Sequence, residues 1–199
     1  MSKFRTLAAA ALALTLVACA KPAAAPITTD DMVLGSATAP VTVIEYASVA
    51  CPVCGDFANS QFPAFKKTYI DSGQVRYVFR EILAHDTHMA AAGFLTARCA
   101  GKDKYFETLD AIFKDQANIE TDVNGGLLKV AKQVGLSDKQ FQECLSDTKA
   151  IDALNARVMK NSTDGKITGT PTFDINGHRI ESLPQPGELE AAVAAAKKK

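Results

Sequence analysis

Two cysteines separated by two residues, Cys51-Pro52-Val53-Cys54, are the part of this chain best suited to chemistry. Vicinal thiols either hold a disulfide that is made and broken in turn or ligate a metal. The pair follows an extended, β-branched run from Val41 to Ser48 and opens a stretch patterned as a helix. At a helix start, unpaired backbone N–H groups carry partial positive charge, which favours thiolate over thiol. A Cys-X-X-Cys pair so placed reads as a redox-active disulfide. Two alternatives stand beside it. His85 and His88 could complete a Cys2His2 zinc set, although the 30 residues between Cys54 and His85 far exceed finger spacing. The pair could also be a purely structural link in a substrate-binding envelope protein.

The elements around the pair follow from periodicity. Val41-Thr42-Val43-Ile44-Glu45-Tyr46 is β-branched and mostly apolar on both faces, as a central strand requires. From Cys54 to about Ile70, Phe57, Phe62, Phe65 and Tyr69 recur at near-helical spacing, with Pro63 expected to kink or divide the helix. Val75 to Arg80 alternates as a second strand, and a connection this long implies a parallel pair with a right-handed crossover. Helical patterning then fills 89–100, 104–114, 127–134, 137–146 and 148–161, with Ser137 and Gln140 forming a capping box. Pro171 to Ile175 is a short strand, Asn176-Gly177 signals a two-residue hairpin into Arg179-Ile180, and 187–196 is a terminal helix. Strands this few make one sheet, so a helical block interrupts a single core.

Residues 1–18 stand outside that core. Lys3 and Arg5 precede an apolar run, Leu7 to Val17, too short to span a bilayer comfortably. The run ends in Leu16-Val17-Ala18-Cys19, similar to the lipobox of bacterial lipoproteins, in which the cysteine is lipidated; ordinary secretory cleavage is the alternative. Either route exports the chain and removes Cys19 from the five cysteines, leaving Cys51, Cys54, Cys99 and Cys144. An even number in an oxidising compartment allows two bridges, so Cys99 and Cys144 are expected to form a structural disulfide, with a second redox relay as the alternative. Residues 19–30 are expected to be a flexible tether. Removing Lys3 and Arg5 from the 22 basic residues leaves 20 against 22 acidic ones, a charge of about −2 that suggests neither nucleic acid nor an anionic surface as partner.

At this point the chain resembles the DsbA-type thiol:disulfide oxidoreductases of bacterial envelopes. The resemblance rests on Glu45-Tyr46-Ala47-Ser48-Val49-Ala50 leading into the cysteine pair and on Gly169-Thr170-Pro171-Thr172-Phe173. It also rests on the helical block carrying Arg98-Cys99-Ala100 and Glu143-Cys144-Leu145, and on Ile175-Asn176-Gly177. It implies an α/β, thioredoxin-like fold with an inserted helical domain: first part 31–87, insertion 88–164, second part 165–199. It further implies Cys51 as nucleophile, Cys54 as resolving thiol and Glu45 as a buried acid moving protons beneath the disulfide, where a strand-end carboxylate meeting water is the plainer reading. Thr170-Pro171 would be a cis peptide exposing backbone for an extended substrate, where a simple turn is the plainer reading. The implied partners are cysteine-containing exported proteins and a DsbB-like membrane redox protein. No cofactor, metal or nucleic acid is implied, and no dimerisation segment is visible, so a monomer is expected. In the strongest oxidants of this family the third motif position is histidine; here it is Val53, which has no side-chain donor. Dithiol oxidase is the leading expectation, with reductase or isomerase as the alternative.

Overall fold

The computed structural model describes residues 26–198; the leader and Cys19 lie outside the described residues. Five strands form one mixed sheet in the order β1-β3-β2-β4-β5: β1 (Met32–Leu34), β2 (Val41–Ala47), β3 (Val75–Glu81), β4 (Thr172–Ile175) and β5 (His178–Ile180). β2 and β3 are parallel, with Glu45 opposite Phe79, while β4 runs antiparallel to β2 with Phe173 opposite Glu45. Glu45 therefore sits mid-strand between two neighbours. Asn176 and Gly177 both take positive φ, the backbone a two-residue hairpin turn demands, between β4 and β5.

The first crossover divides at its proline. α1 (Pro52–Ser60) stops before Gln61, α2 (Phe62–Phe65) carries Pro63 near its start, and Lys66–Ile70 continues as a π-helical turn. Pro63 has no N–H to donate to the preceding turn, so the helix breaks there. Between β3 and β4 lie α3 (Thr87–Cys99), α4 (Tyr105–Lys114), α5 (Gln116–Thr121), α6 (Val123–Gln133), α7 (Asp138–Ser146) and α8 (Thr148–Gly165). The Ser137–Gln140 capping box is formed at the start of α7. α9 (Glu188–Lys197) closes the described chain and packs on β2 and β4. The result is a thioredoxin-like α/β fold with a helical block inserted after β3.

One face of the sheet shares a continuous apolar core with α1 and the helical block, through Val43, Phe57, Phe79, Phe94, Tyr105 and Phe173. The opposite face is thinner, built on Ile44, Tyr46, Val78 and Ile82. β3 is tied to the helices by a buried carboxylate: Glu81 accepts from Arg98 Nε at 2.6 Å, Arg157 Nε at 2.9 Å and the Tyr105 hydroxyl at 3.1 Å. A buried charge is tolerated only when so partnered.

The structure departs from expectation in several places, α5 among them, for which the sequence pattern has no helix. β1 has no counterpart in the sequence pattern, and the described end of the expected tether, residues 26–30, is held on the body. Arg80 pairs with Asp31 at 2.9 Å and donates to the Pro26 carbonyl, while Arg98 and Lys102 donate to the carbonyls of Asp30 and Thr29. These cations satisfy a backbone that composition alone reads as loose. No helix among the described residues is long and apolar enough to cross a membrane.

Candidate active site

Cys51 is the N-cap of α1, in extended backbone, and Pro52 takes the first helical position, where a missing N–H costs nothing. No side chain caps this end, so the N–H groups of Val53 and Cys54 face the Cys51 sulfur. Cys51 and Cys54 are both free thiols. Cys51 keeps 7% exposure and Cys54 none, so an incoming sulfur can reach only the first.

The two thiols are driven apart in acidity. Cys51 is lowered to about 5, first by the hydrogen bond from Cys54 and then, against the opposing effect of burial, by the Thr170 side chain and the helix N–H groups. Cys54 is pushed far above the ordinary thiol range by burial, by donating to Cys51 and by the charge of Glu45. The first thiol of such pairs ranges from about 3.5 in DsbA to about 7 in thioredoxin, so Cys51 falls between the two.

Glu45 is 2% exposed, and burial raises its carboxyl to about 8 despite a hydrogen bond from the Tyr77 hydroxyl; the Cys51 charge adds to the rise. A carboxyl so tuned exchanges its proton near neutral pH. A cavity of about 40 Å³ between α1 and α4 reaches Glu45 and Tyr77, walled by Phe57, Phe62 and Phe106, with Asp110 also on its lining. That is room enough for water.

Thr170-Pro171 is cis, and the Cys51 thiol donates to the Thr170 carbonyl at 3.4 Å. Thr170 is partly exposed and Pro171 buried. Cys99 and Cys144 are disulfide-bonded across α3 and α7, with Cα atoms 6.0 Å apart. The structure thus gathers Cys51, Cys54, Glu45, Thr170 and Pro171, and places the Cys99–Cys144 bridge in the helical block. His85 pairs with Glu120 at 3.3 Å, and no group of three or more His, Cys, Asp or Glu among the described residues is arranged to hold a metal.

Two neighbours of the site carry no signal in the sequence. Tyr77 reads as an ordinary aromatic of an alternating strand, and only the β2–β3 pairing brings its hydroxyl to Glu45. Gln116 donates from α5 to the carbonyls of Val49 and Cys51, a contact across 65 or more residues that no local pattern announces.

A family model described as Thioredoxin matches residues 28–195. A Rickettsia bellii protein described as a putative protein-disulfide oxidoreductase is 32% identical over 156 residues, covering 77% of this chain but 60% of its own length, so the chain spans less than two thirds of that relative. The disulfide bond formation protein D of Bacillus subtilis is 28% identical over 168 residues, covering 81% of this chain and 74% of that protein. The crystal structure of Wolbachia pipientis alpha-DsbA1 superposes with a TM-score of 0.78 at 24% identity, covering 86% of this chain and 93% of that one.

Proposed function

From the premise that this chain belongs to the thioredoxin family and carries a DsbA-like fold, we propose that it is a thiol:disulfide oxidoreductase that donates the Cys51–Cys54 disulfide to cysteines of exported proteins. The observation that carries this reading is the asymmetry of the pair: a reachable Cys51 with a stabilised thiolate above a sealed Cys54 that holds its proton.

The chemistry follows in two steps. A substrate thiolate attacks the Cys51 sulfur of the disulfide; the Cys51–Cys54 bond breaks and Cys54 leaves, taking a proton from Glu45. The second substrate thiolate then attacks the substrate sulfur of the mixed disulfide. A substrate disulfide forms and Cys51 departs as a thiolate, which is a good leaving group because its pKa is low. The substrate loses two electrons and the protein gains them, so a membrane redox partner must reoxidise the pair. The partly exposed Thr170 backbone beside Cys51 is the surface against which an extended substrate segment would lie. Incubating oxidised protein with a reduced two-cysteine peptide should yield one peptide disulfide per protein; a pair that stays oxidised beside excess reduced peptide would refute the activity.

Glu45→Gln should fold yet slow exchange by roughly 10²-fold, as loss of a positioned acid–base group does. It should also flatten the pH–rate profile near 8, and an unchanged profile would remove Glu45 from the proton path. Stability gives a second readout on oxidised protein, where Cys51 does not titrate. A carboxyl raised in the folded state contributes fully below its unfolded pKa of about 4.5 and loses that contribution as pH rises through its folded value, which burial alone still holds above the ordinary carboxyl range once the Cys51 charge is gone. Glu45→Gln should therefore gain on the native protein as pH increases across that window.

Export and a lipid anchor at Cys19 complete the reading, supported by the lipobox-like leader and by a disulfide in the helical block, a feature of oxidising compartments. Mass spectrometry of the mature protein should show a diacylglyceryl group on Cys19; an unmodified terminus beyond it would replace the anchor with free secretion.

A further inference from the structure

Gln116 stands at the start of α5, in the helical block, and its amide reaches across to the turn that carries Cys51. Nε2 donates to the Val49 carbonyl at 2.8 Å and to the Cys51 carbonyl at 3.1 Å. The Cys51 carbonyl also accepts from the Gly55 N–H at 3.1 Å, so two donors converge on it. That convergence matters because Pro52 has no N–H. The peptide joining Cys51 to Pro52 can be held by hydrogen bonds only through its oxygen. Val49 is fully buried, so its carbonyl has no solvent to fall back on if the amide is withdrawn.

Gly55 is the other half of this contact. A Cβ built at residue 55 would lie 2.5 Å from Gln116 Oε1 and 3.2 Å from its Cδ. The amide is the far end of a flexible side chain, so it would have to shift away from an alanine, which disturbs its grip on the two carbonyls. Gly55 has no positive φ to require it; the space it leaves is filled by Gln116.

We propose that Gln116 is a positioning residue for thiol–disulfide exchange: by gripping the carbonyls of Val49 and Cys51 it keeps the first-turn N–H groups of α1 aimed at the Cys51 sulfur, coupling the helical block to the redox turn. It touches neither sulfur nor substrate. The proposal rests on the reading of Cys51–Cys54 as a redox pair, and predicts that substitutions on either side of the contact act through one shared effect.

The test uses Gln116→Ala, Gly55→Ala and the double variant in the full exported protein. Cys51 ionisation is followed by thiolate absorbance, peptide oxidation in a single turnover and stability by thermal melting. Each single variant should raise the Cys51 titration midpoint by about one unit, a roughly tenfold loss of thiolate below the midpoint. The double variant should match Gln116→Ala, because the displaced amide is already gone. Gly55→Ala gains helix propensity but disturbs the same buried carbonyl contact, so it should melt no lower than Gln116→Ala. Titration midpoints unchanged in both single variants, with only melting altered, would reduce Gln116 to a structural tie and overturn the proposal; so would fully additive effects in the double variant. Should Gln116→Ala fail to fold, Gly55→Ala alone decides by the same midpoint. A native protein that exchanges no disulfide at all would instead overturn the functional reading, and this role with it.

Discussion

Replacing Cys54 with serine is expected to convert the protein from a catalyst into a trap. With Cys54 absent no internal disulfide can form, so oxidation of a dithiol peptide should fall by about 10³-fold or more, roughly 4 kcal/mol of barrier. Cys51 remains reachable, and the serine hydroxyl can donate to it where the Cys54 thiol did. Its thiolate should still attack substrate disulfides and then stay bound, because the buried thiol that would release it is gone. Mixed disulfides with exported proteins should accumulate and dissolve on reduction, visible as reducible adducts by mass. Cys51→Ser should form none. Adducts appearing on Cys51→Ser would mean that Cys51 is not the exchanging sulfur, and turnover surviving in Cys54→Ser that Cys54 is not the resolving one.

Removing the second bridge should produce the largest loss of stability with little loss of chemistry. Cys99 and Cys144 are 45 residues apart, and closing a loop of that length stabilises by about 4 kcal/mol in the chain-entropy model. The bridge joins the end of α3 to α7, so without it the helical block is tied by packing and by the Glu81 ion pairs. Cys99→Ser with Cys144→Ser should lower the melting temperature by roughly 8–16 °C for a chain of this size. Peptide oxidation by the folded fraction should stay within about twofold, since Gln116, Thr170 and Glu45 make no contact through the bridge. Abolished activity in a protein that still melts cooperatively would make this disulfide a second redox relay.

How far the sequence can be read depends on how local each signal is. The strand leading into Cys51, the Asn176-Gly177 turn and the Ser137–Gln140 capping box are all short-range features, and each stands in the structure as its residues suggest. β1 is three residues long, too short for alternation to declare it, and it is held where Asp31 and Arg80 pair at the sheet edge. The same holds at the site. Glu45 can be suspected from its place on a buried strand, but Tyr77 and Gln116 are joined to it and to Cys51 only by tertiary pairing. α5 is silent in the sequence because six residues between Asp115 and Asp122 carry no clear apolar period. Val53 is 40% exposed beside the reactive sulfur and offers it no side-chain donor, so the acidity of Cys51 comes from Cys54, Thr170 and the helix start. The acidity of Cys51 is therefore set first by Cys54 within the motif and only then by Thr170 outside it.

The reduction potential of the Cys51–Cys54 pair, measured by equilibration against glutathione, tests the oxidant role most directly. A Cys51 thiol held near 5 lies between those of DsbA and thioredoxin, so a potential above about −270 mV and below about −120 mV is expected. A value at or below about −270 mV, the level of thioredoxin, would make the protein a reductant and contradict the proposed role as a donor of disulfides.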